Sequence, residues 1–397
     1  MKKRIVVGLS GGVDSSVSAL LLKKKGYDLI GLFMRNWLDD GNLEGEKCPW
    51  MEDSRDAMLV AEKLKIPFQI IDLSESYYKR IVNYMFLEYG LGRTPNPDIL
   101  CNREIKFDLF LKKSLLLGAD YVATGHYVKK DVFYTKEKEK IYRLLKGKDP
   151  NKDQSYFLSQ LDQYQLSKAI FPLGDLNKEQ VRRIALEAGL VTAKKRDSQG
   201  LCFIGKVHLP DFLKQKLRAK QGDVIEISKN SILYTKKEDV KTSKEGNLDQ
   251  LVEKIFYHRK DGKVIGQHQG AHYYTKGQRK GLGIGGYEKS LFILDTDTKE
   301  NIIYVGMGRS HPGLYRKGLF IKEKDIHWVR EDKSLLVGQK KQMEVRIRYR
   351  QSLERACLYR EKQGLYILFE HPQWAISEGQ FAVWYDKDEL IGSGVIS

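Results

Sequence analysis

The sequence predicts an α/β chain: a doubly wound parallel sheet first, then a small central β-rich unit, then a C-terminal β-barrel. Three observations predict it. Short apolar runs alternate with amphipathic stretches over roughly the first two hundred residues. A glycine pair closes the first of those runs. After Phe203 the alternation gives way to short strand and turn patterns that continue to the end of the chain.

The elements follow in order. Ile5, Val6 and Val7 form a β-branched run that reads as a buried parallel strand, and it leads through Ser10-Gly11-Gly12-Val13-Asp14-Ser15-Ser16 into a helix over Val17 to Lys25. Leu29 to Met34 is the second strand, Asp53 to Leu64 a helix, Phe68 to Asp72 the third strand and Tyr77 to Tyr89 a helix. Tyr121 to Thr124 is the fourth strand, ending in Gly125-His126-Tyr127. Such sheets bind ligands at the carboxyl ends of their strands. The glycine loop, Met34 and Gly125-His126 all fall there; Met34 is either core or a surface for adenine.

In the first loop two glycines allow a tight turn and a close approach to a ligand. Asp14, Ser15 and Ser16 open the helix, where free N–H groups and the dipole favour an anion. This makes a pyrophosphate cradle. It lacks the Gly-Lys-Ser/Thr ending of the Walker loop and the Gly-x-Gly-x-x-Gly dinucleotide fingerprint. It resembles instead the SGGxDSS loop of the PP-loop ATP pyrophosphatases, which adenylate a substrate and release pyrophosphate.

A second informative stretch is GRTPNPDILCNREIKF, Gly92 to Phe107. Its prolines and asparagines make a rigid loop of the kind that carries function. Asp98 can handle a proton or simply shape the turn after Pro97. Cys101 reads either as a small buried hydrophobe or as a thiol opening a basic helix with Arg103 and Lys106, a setting that favours thiolate.

Composition narrows the partners. A net charge of +17, with 22 tyrosines and five tryptophans, exceeds what ATP alone requires and suits a polyanion. No apolar run approaches the ~20 residues that span a bilayer, and the first strand begins too early for a signal or transit peptide. The four cysteines (Cys48, Cys101, Cys202, Cys357) form no disulfide framework, so a cytoplasmic setting is expected. Cys48 reads as structural or incidental and Cys357 as a core strand residue. No histidine set has metal-ligand spacing, so neither zinc nor an iron–sulfur cluster is expected.

Beyond Phe203, Gly222-Asp223 and Asp261-Gly262 are turn signals. Residues 228–260 are charged and weakly apolar, a solvated or partly helical excursion, with helical periodicity from Asn247 to Phe256. The segment YYTKGQRKGLGIGG, Tyr273 to Gly286, suits a flexible basic hairpin against phosphate. Five strands make up the final module: Leu291 to Leu294, Ile302 to Val305, Gln342 to Arg348, Leu365 to Phe369 and Gln380 to Trp384. On the third of these Arg346, Arg348 and Arg350 alternate onto one face, with Tyr349 on the other.

SGGVDSS, FMRNW, GRTPNPDILCNREIKF, ATGHY, NKDQSYFL, KKRDSQGLCFIG and YTKGQRKGLGIGG together resemble the tRNA-specific 2-thiouridylases, from Ile5 to Ile396 and broken only by the charged excursion. The resemblance implies ATP-dependent adenylation of the wobble uridine at C2 oxygen, followed by persulfide sulfur transfer. It implies ATP contacts at Gly8, Leu9, Ser10, Gly11, Gly12, Val13, Asp14, Ser15, Met34 and Gly125, with Mg²⁺ accompanying ATP. Target-base contacts fall on Asn96, Pro97 and Asp98, and further tRNA contacts on His126, Lys152, Asp153, Gln154, Arg348, Tyr349 and Gln380. Cys101 matches the nucleophile and Cys202 the persulfide carrier, and the order in which they act stays open. Implied partners are tRNAs for Lys, Glu and Gln and a persulfide donor, either a cysteine desulfurase or a sulfur-relay protein, with no membrane. The expected division is 1–205 catalytic, 206–288 central and tRNA-binding, and 289–397 barrel. Two rivals remain: a small-molecule PP-loop ligase, and a non-catalytic RNA-binding protein on a relic nucleotide fold. Pyrophosphate release that depends on tRNA separates them.

Overall fold

A computed structural model describes residues 2–37, 49–197, 209–235 and 248–397. Cys48 and Cys202 lie outside the described residues.

The first sheet is built from β1 (Arg4–Gly8), β2 (Asp28–Arg35), β3 (Phe68–Asp72), β4 (Tyr121–Ala123) and, further along the chain, Ala169–Ile170. All its pairings are parallel, in the order β3-β2-β1-β4 and then Ala169–Ile170. Helices α1 (Val13–Lys24) and α2 (Pro49–Lys63) cover one face, where Ile5, Val7, Phe33, Val17 and Val60 are buried together. Two longer helical stretches, α3 (residues 74–90) and α4 (residues 97–116), cover the other with Val6, Leu32 and Met34. Within α4 the turns widen to a π-helix over Cys101–Phe110, a form that often marks functional segments.

Between β4 and the sheet's last strand the chain leaves to make an antiparallel hairpin, β5 (Val128–Tyr134) and β6 (Lys140–Lys146). The sheet's last strand is β7 (Ala169–Ile170), preceded by α5 (Gln163–Lys168) and followed by α6 (Lys178–Glu187). Both helices start in capping boxes, Asp162 with Gln165 and Asn177 with Gln180, which satisfy the first free N–H groups.

A short helix, α7 (Leu209–Lys214), precedes the central sheet of β8 (Gly222–Glu226), β9 (Lys263–His268), β10 (Leu291–Asp297) and β11 (Ile302–Met307), ordered β10-β11-β8-β9. Two expectations are corrected here. Gly222-Asp223 opens β8 rather than making a turn. The strands at 291–297 and 302–307 belong to this sheet, not the final module, so the central unit passes the expected boundary at 288. In the described residues of the excursion at 228–260 the partly helical reading holds, with short helices at Ile232–Thr235 and further on. Its α8 (Leu248–Val252) docks on the barrel: Tyr366 Oη donates to Asp249, and Arg316 Nη2 donates to Val252 O at 2.7 Å.

The barrel comprises β12 (Tyr315–Lys322), β13 (Ile326–Trp328), β14 (Lys340–Arg346), β15 (Glu354–Glu361), β16 (Gly364–Trp374), β17 (Phe381–Asp386) and β18 (Glu389–Val395). Its sheet runs β12-β16-β15-β14-β17-β18 and continues into β6 and β5, through Glu389 opposite Leu145 and Leu390 opposite Leu144. Cys357 lies on β15 but between buried Ala356 and Leu358, so it faces outward rather than into the core. Trp384, Ile367 and Leu319 fill the barrel interior.

Candidate active site

The glycine loop sits where β1 ends and α1 begins. Gly11 has φ +73°, and a Cβ there would lie 2.2 Å from the Asp53 carbonyl oxygen, so only glycine fits. No side chain caps α1 at Gly12, which leaves its first N–H groups for a ligand. Ser15 Oγ instead closes the loop on itself, accepting from Ser10 N at 3.1 Å and donating to Gly12 O at 3.1 Å. Gly125 presses against the same place: a Cβ there would be 2.8 Å from Ser15 N. Met34, buried at the end of β2, lies 3.8 Å from the point where a Gly8 Cβ would be, and Phe110 of α4 lies 3.4 Å from it. Thus the loop, Met34 and Gly125 come together, with α4 beneath them.

Asn96 starts α4. Its Oδ1 accepts from Ile99 N at 3.3 Å, and Pro97 sits at the first helical position, a placement its missing N–H permits. Gln380 of the barrel holds this loop: its Nε2 donates to Thr94 O at 3.0 Å and Pro95 O at 3.2 Å, and its Oε1 accepts from Asn96 Nδ2 at 3.4 Å. Residues about 280 apart in sequence are therefore neighbours. Asp98 is half-buried beside them. Cys101 is fully buried with Ile99, Leu100 and Ile105. Its surroundings are apolar rather than basic, because Arg103 turns away to Glu104 at 2.8 Å and Gln160 at 2.7 Å.

The other tRNA candidates are engaged within the protein. His126 is buried, 2.7 Å from Thr124 Oγ1 through Nδ1; burial first, and the Lys106 charge second, hold its pKa well below the usual histidine range. Asp153 is buried and accepts from Arg346 at 2.8 Å. Gln154 Oε1 accepts from Tyr127 N at 3.0 Å, and Lys152 donates to Asp197 at 2.5 Å. Tyr349 packs on Phe157, ring centroids 4.3 Å apart. Arg348 donates to Ala375 O and lies 5.1 Å over Trp374.

Two expectations about charge are overturned. The strand carrying the arginines ends at Arg346, so the three do not share a face: Arg346 is buried on Asp153 and Tyr385, and Arg350 is exposed. In the basic segment Lys276 is largely enclosed between Asp295 at 3.1 Å and Glu378 at 2.9 Å. Only Arg279 and Lys280 of its three cations face solvent.

Sequence reasoning missed a second layer behind the loop. Lys178 Nζ donates to both oxygens of Asp14 at 2.8 Å and to Asp197 at 2.8 Å, and Tyr127 Oη donates to Asp14 at 2.6 Å. Burial, then Asp14, pushes the Tyr127 phenol upward, keeping it a donor. Burial acts to raise the Asp197 carboxyl, but hydrogen bonds from Lys152 and Lys178 outweigh it and hold it at about 2. Asn36, just past Met34, is buried with neither amide atom partnered among the described residues. Among those residues no group of three or more His, Cys, Asp or Glu could hold a metal, and no helix is long and apolar enough to cross a membrane.

Comparison with known proteins gives three consecutive family matches. Residues 3–206 match a model described as a tRNA methyl transferase HUP domain, 248–307 a tRNA methyl transferase PRC-barrel domain, and 319–396 an aminomethyltransferase beta-barrel domain. Proteins named tRNA-specific 2-thiouridylase MnmA align along the whole chain. That of Christiangramia forsetii is 59% identical over 395 residues and that of Flavobacterium johnsoniae 57%, each covering 100% of both chains. That of Karelsulcia muelleri is 53% identical, covering 100% of this chain and 99% of the relative.

Proposed function

The chain belongs to the family of tRNA-specific 2-thiouridylases, and from that we propose that it replaces the C2 oxygen of the wobble uridine of tRNA with sulfur, consuming ATP. The observation that carries this reading is that the helix bearing Cys101 also sets Phe110 against Gly8 at the foot of the glycine loop, with Met34 beside them and the Cys101, Phe110 and Met34 side chains in one core. An adenylating loop and a thiol serve one reacting atom.

Uracil O2 is a poor leaving group. Its attack on the α-phosphate of ATP forms an O-adenylated base and expels pyrophosphate, received by residues 8–15 and the start of α1. Asp14 is the carboxylate that would hold magnesium on the ATP phosphates, where the ion would neutralise part of their charge; magnesium is commonly held by one carboxylate and substrate phosphates. Adenine lies at Met34 and Gly125. Asn96, Pro97 and Asp98 hold the base, Asp98 handling its proton. A persulfide on Cys202 attacks C2, and AMP departs with the former O2. Cys101 then attacks the carrier sulfur, leaving 2-thiouridine and a Cys101–Cys202 disulfide, which an external thiol reductant resets. Cys101 acts only after tRNA docking uncovers it. His126, Lys152, Asp153, Gln154, Arg348, Tyr349 and Gln380 shape or touch the tRNA face. The substrates are tRNAs for Lys, Glu and Gln, the sulfur comes from a desulfurase or relay protein, and the setting is the reducing cytoplasm.

The test is 2-thiouridine formation in tRNA incubated with the protein, ATP, Mg²⁺ and a persulfide donor. Product is expected only in the complete reaction and is lost in Cys101→Ser and Cys202→Ser. A methylated nucleoside in place of the thiolated one, or thiolation without ATP, would overturn this reading.

A further inference from the structure

We propose that Lys178 is a phosphate-binding residue of the nucleotide site, an inference that rests on the ATP reading above. Its position is anomalous for a structural lysine. It follows the Asn177 cap in the first turn of α6, where the helix dipole disfavours a cation. A lysine there needs another reason, and its side chain supplies one by reaching to the start of α1.

The ammonium is largely enclosed and has three N–H donors. Two go to Oδ1 and Oδ2 of Asp14, each at 2.8 Å, and one to Asp197 at 2.8 Å. The two bonds to Asp14 duplicate each other. Giving up one leaves both carboxylates held and frees one donor in front of α1, where uncapped N–H groups already favour an anion. Phosphates placed there beside the Asp14 carboxylate would repel it, and a magnesium ion carried on ATP would offset only part of that combined negative charge. Among the described residues, Lys178 is the cation that touches Asp14. Its tether is rigid: Lys152 at 2.5 Å and Arg182 at 2.9 Å hold Asp197 as well, and the Lys178 backbone N donates to Asp149 at 3.0 Å. The compact, rotatable ammonium suits a shared position between carboxylate and phosphate better than a planar guanidinium does.

The experiment is calorimetric binding of ATP, inorganic pyrophosphate and adenosine to the full chain, comparing wild type, Lys178→Gln and Lys178→Arg, with a thermal melt of each. The expected result is a loss of about tenfold for ATP and pyrophosphate in Lys178→Gln, an intermediate loss in Lys178→Arg, and adenosine unchanged in both. A merely structural lysine would weaken adenosine along with ATP, and that outcome, or unchanged ATP affinity in a folded variant, overturns the assignment. Should Lys178→Gln not fold, Lys178→Arg decides by the same comparison, since it keeps a charge for both carboxylates. Failure of the wild type to bind ATP overturns the nucleotide reading itself and this inference with it.

Discussion

Gly11 and Gly12 are adjacent yet carry different constraints. At Gly11 both the positive φ and the Asp53 carbonyl exclude a side chain, whereas a Cβ at Gly12 meets nothing nearer than Ser10 Oγ at 3.4 Å. Gly11→Ala should lower stability by ~1–3 kcal/mol and ATP affinity by at least about tenfold, while Gly12→Ala keeps the melting temperature; differential melts and ATP titration check the pair. His126 gives a second residue-scale expectation. Its folded pKa lies below the ordinary value of 6.5, so the stability linked to its neutral form is complete above pH ~6.5 and is lost as pH falls further. Its ring proton signals should therefore show no titration step by NMR around pH 6.5, where an ordinary histidine titrates, and its contribution to tRNA binding at neutral pH is not ionic. The loop glycines were legible because β-branched runs bounded by glycine leave few alternatives. The partners of charged residues were not. Arg346 and Lys276 read as surface cations, and what encloses them, Asp153 and Glu378, comes from distant parts of the chain.

At the scale of elements, α4 carries two duties through the residue that caps it. Asn96 caps the helix with Oδ1 and binds Gln380 with Nδ2. Asn96→Asp should keep the cap and near-wild-type stability while losing the donor toward Gln380 Oε1; Asn96→Ala should lose about 1 kcal/mol. If thiolation falls equally in both while only the alanine variant melts earlier, the Asn96 Nδ2 donor, toward Gln380 or the target base, matters to function beyond the cap; a matching fall in Gln380→Ala assigns it to the barrel contact. The parallel strands were readable from apolar runs. The β5–β6 hairpin was not, because VKKDVFY and KIYRLLK mix charge with apolar residues, and the strand they meet lies near the other end of the chain. Helix α6 was not read from the sequence, although Asn-Lys-Glu-Gln is a capping-box pattern, and the lysine against the dipole was a second overlooked signal.

Across the whole molecule, Glu378 joins all three parts. Its carboxylate takes Lys276 of the central unit at 2.9 Å and Arg316 of the barrel at 3.4 Å, and its backbone oxygen accepts from Thr94 N of the catalytic part at 2.8 Å. Burial would raise its pKa, but the Lys276 and Arg316 charges outweigh that and hold it at about 2 against an ordinary 4.5. The stability it contributes is therefore complete above pH ~4.5 and lost as pH falls toward ~2, about 3 kcal/mol in all. Glu378→Gln should flatten the pH dependence of unfolding in that window and cost about 3 kcal/mol at neutral pH, since Arg316 loses its carboxylate and Lys276 keeps only Asp295. Chemical denaturation of both proteins at several pH values tests this. The boundary past Met307 escaped the sequence because β10 and β11 look like any short strands; only their hydrogen bonds assign them to a sheet.

The hairpin that completes the last sheet has a consequence for how the chain is made. β6 emerges from the ribosome about 240 residues before β18, its partner. At ~5–20 residues per second, its edge waits roughly 12–50 s for translation to deliver the strand that covers it. During that interval a nascent chain presents an unpaired, partly apolar edge to every neighbouring polysome product. A chain truncated before Glu389 never leaves that condition, so premature termination yields an aggregation-prone fragment even when the nucleotide-binding half has folded.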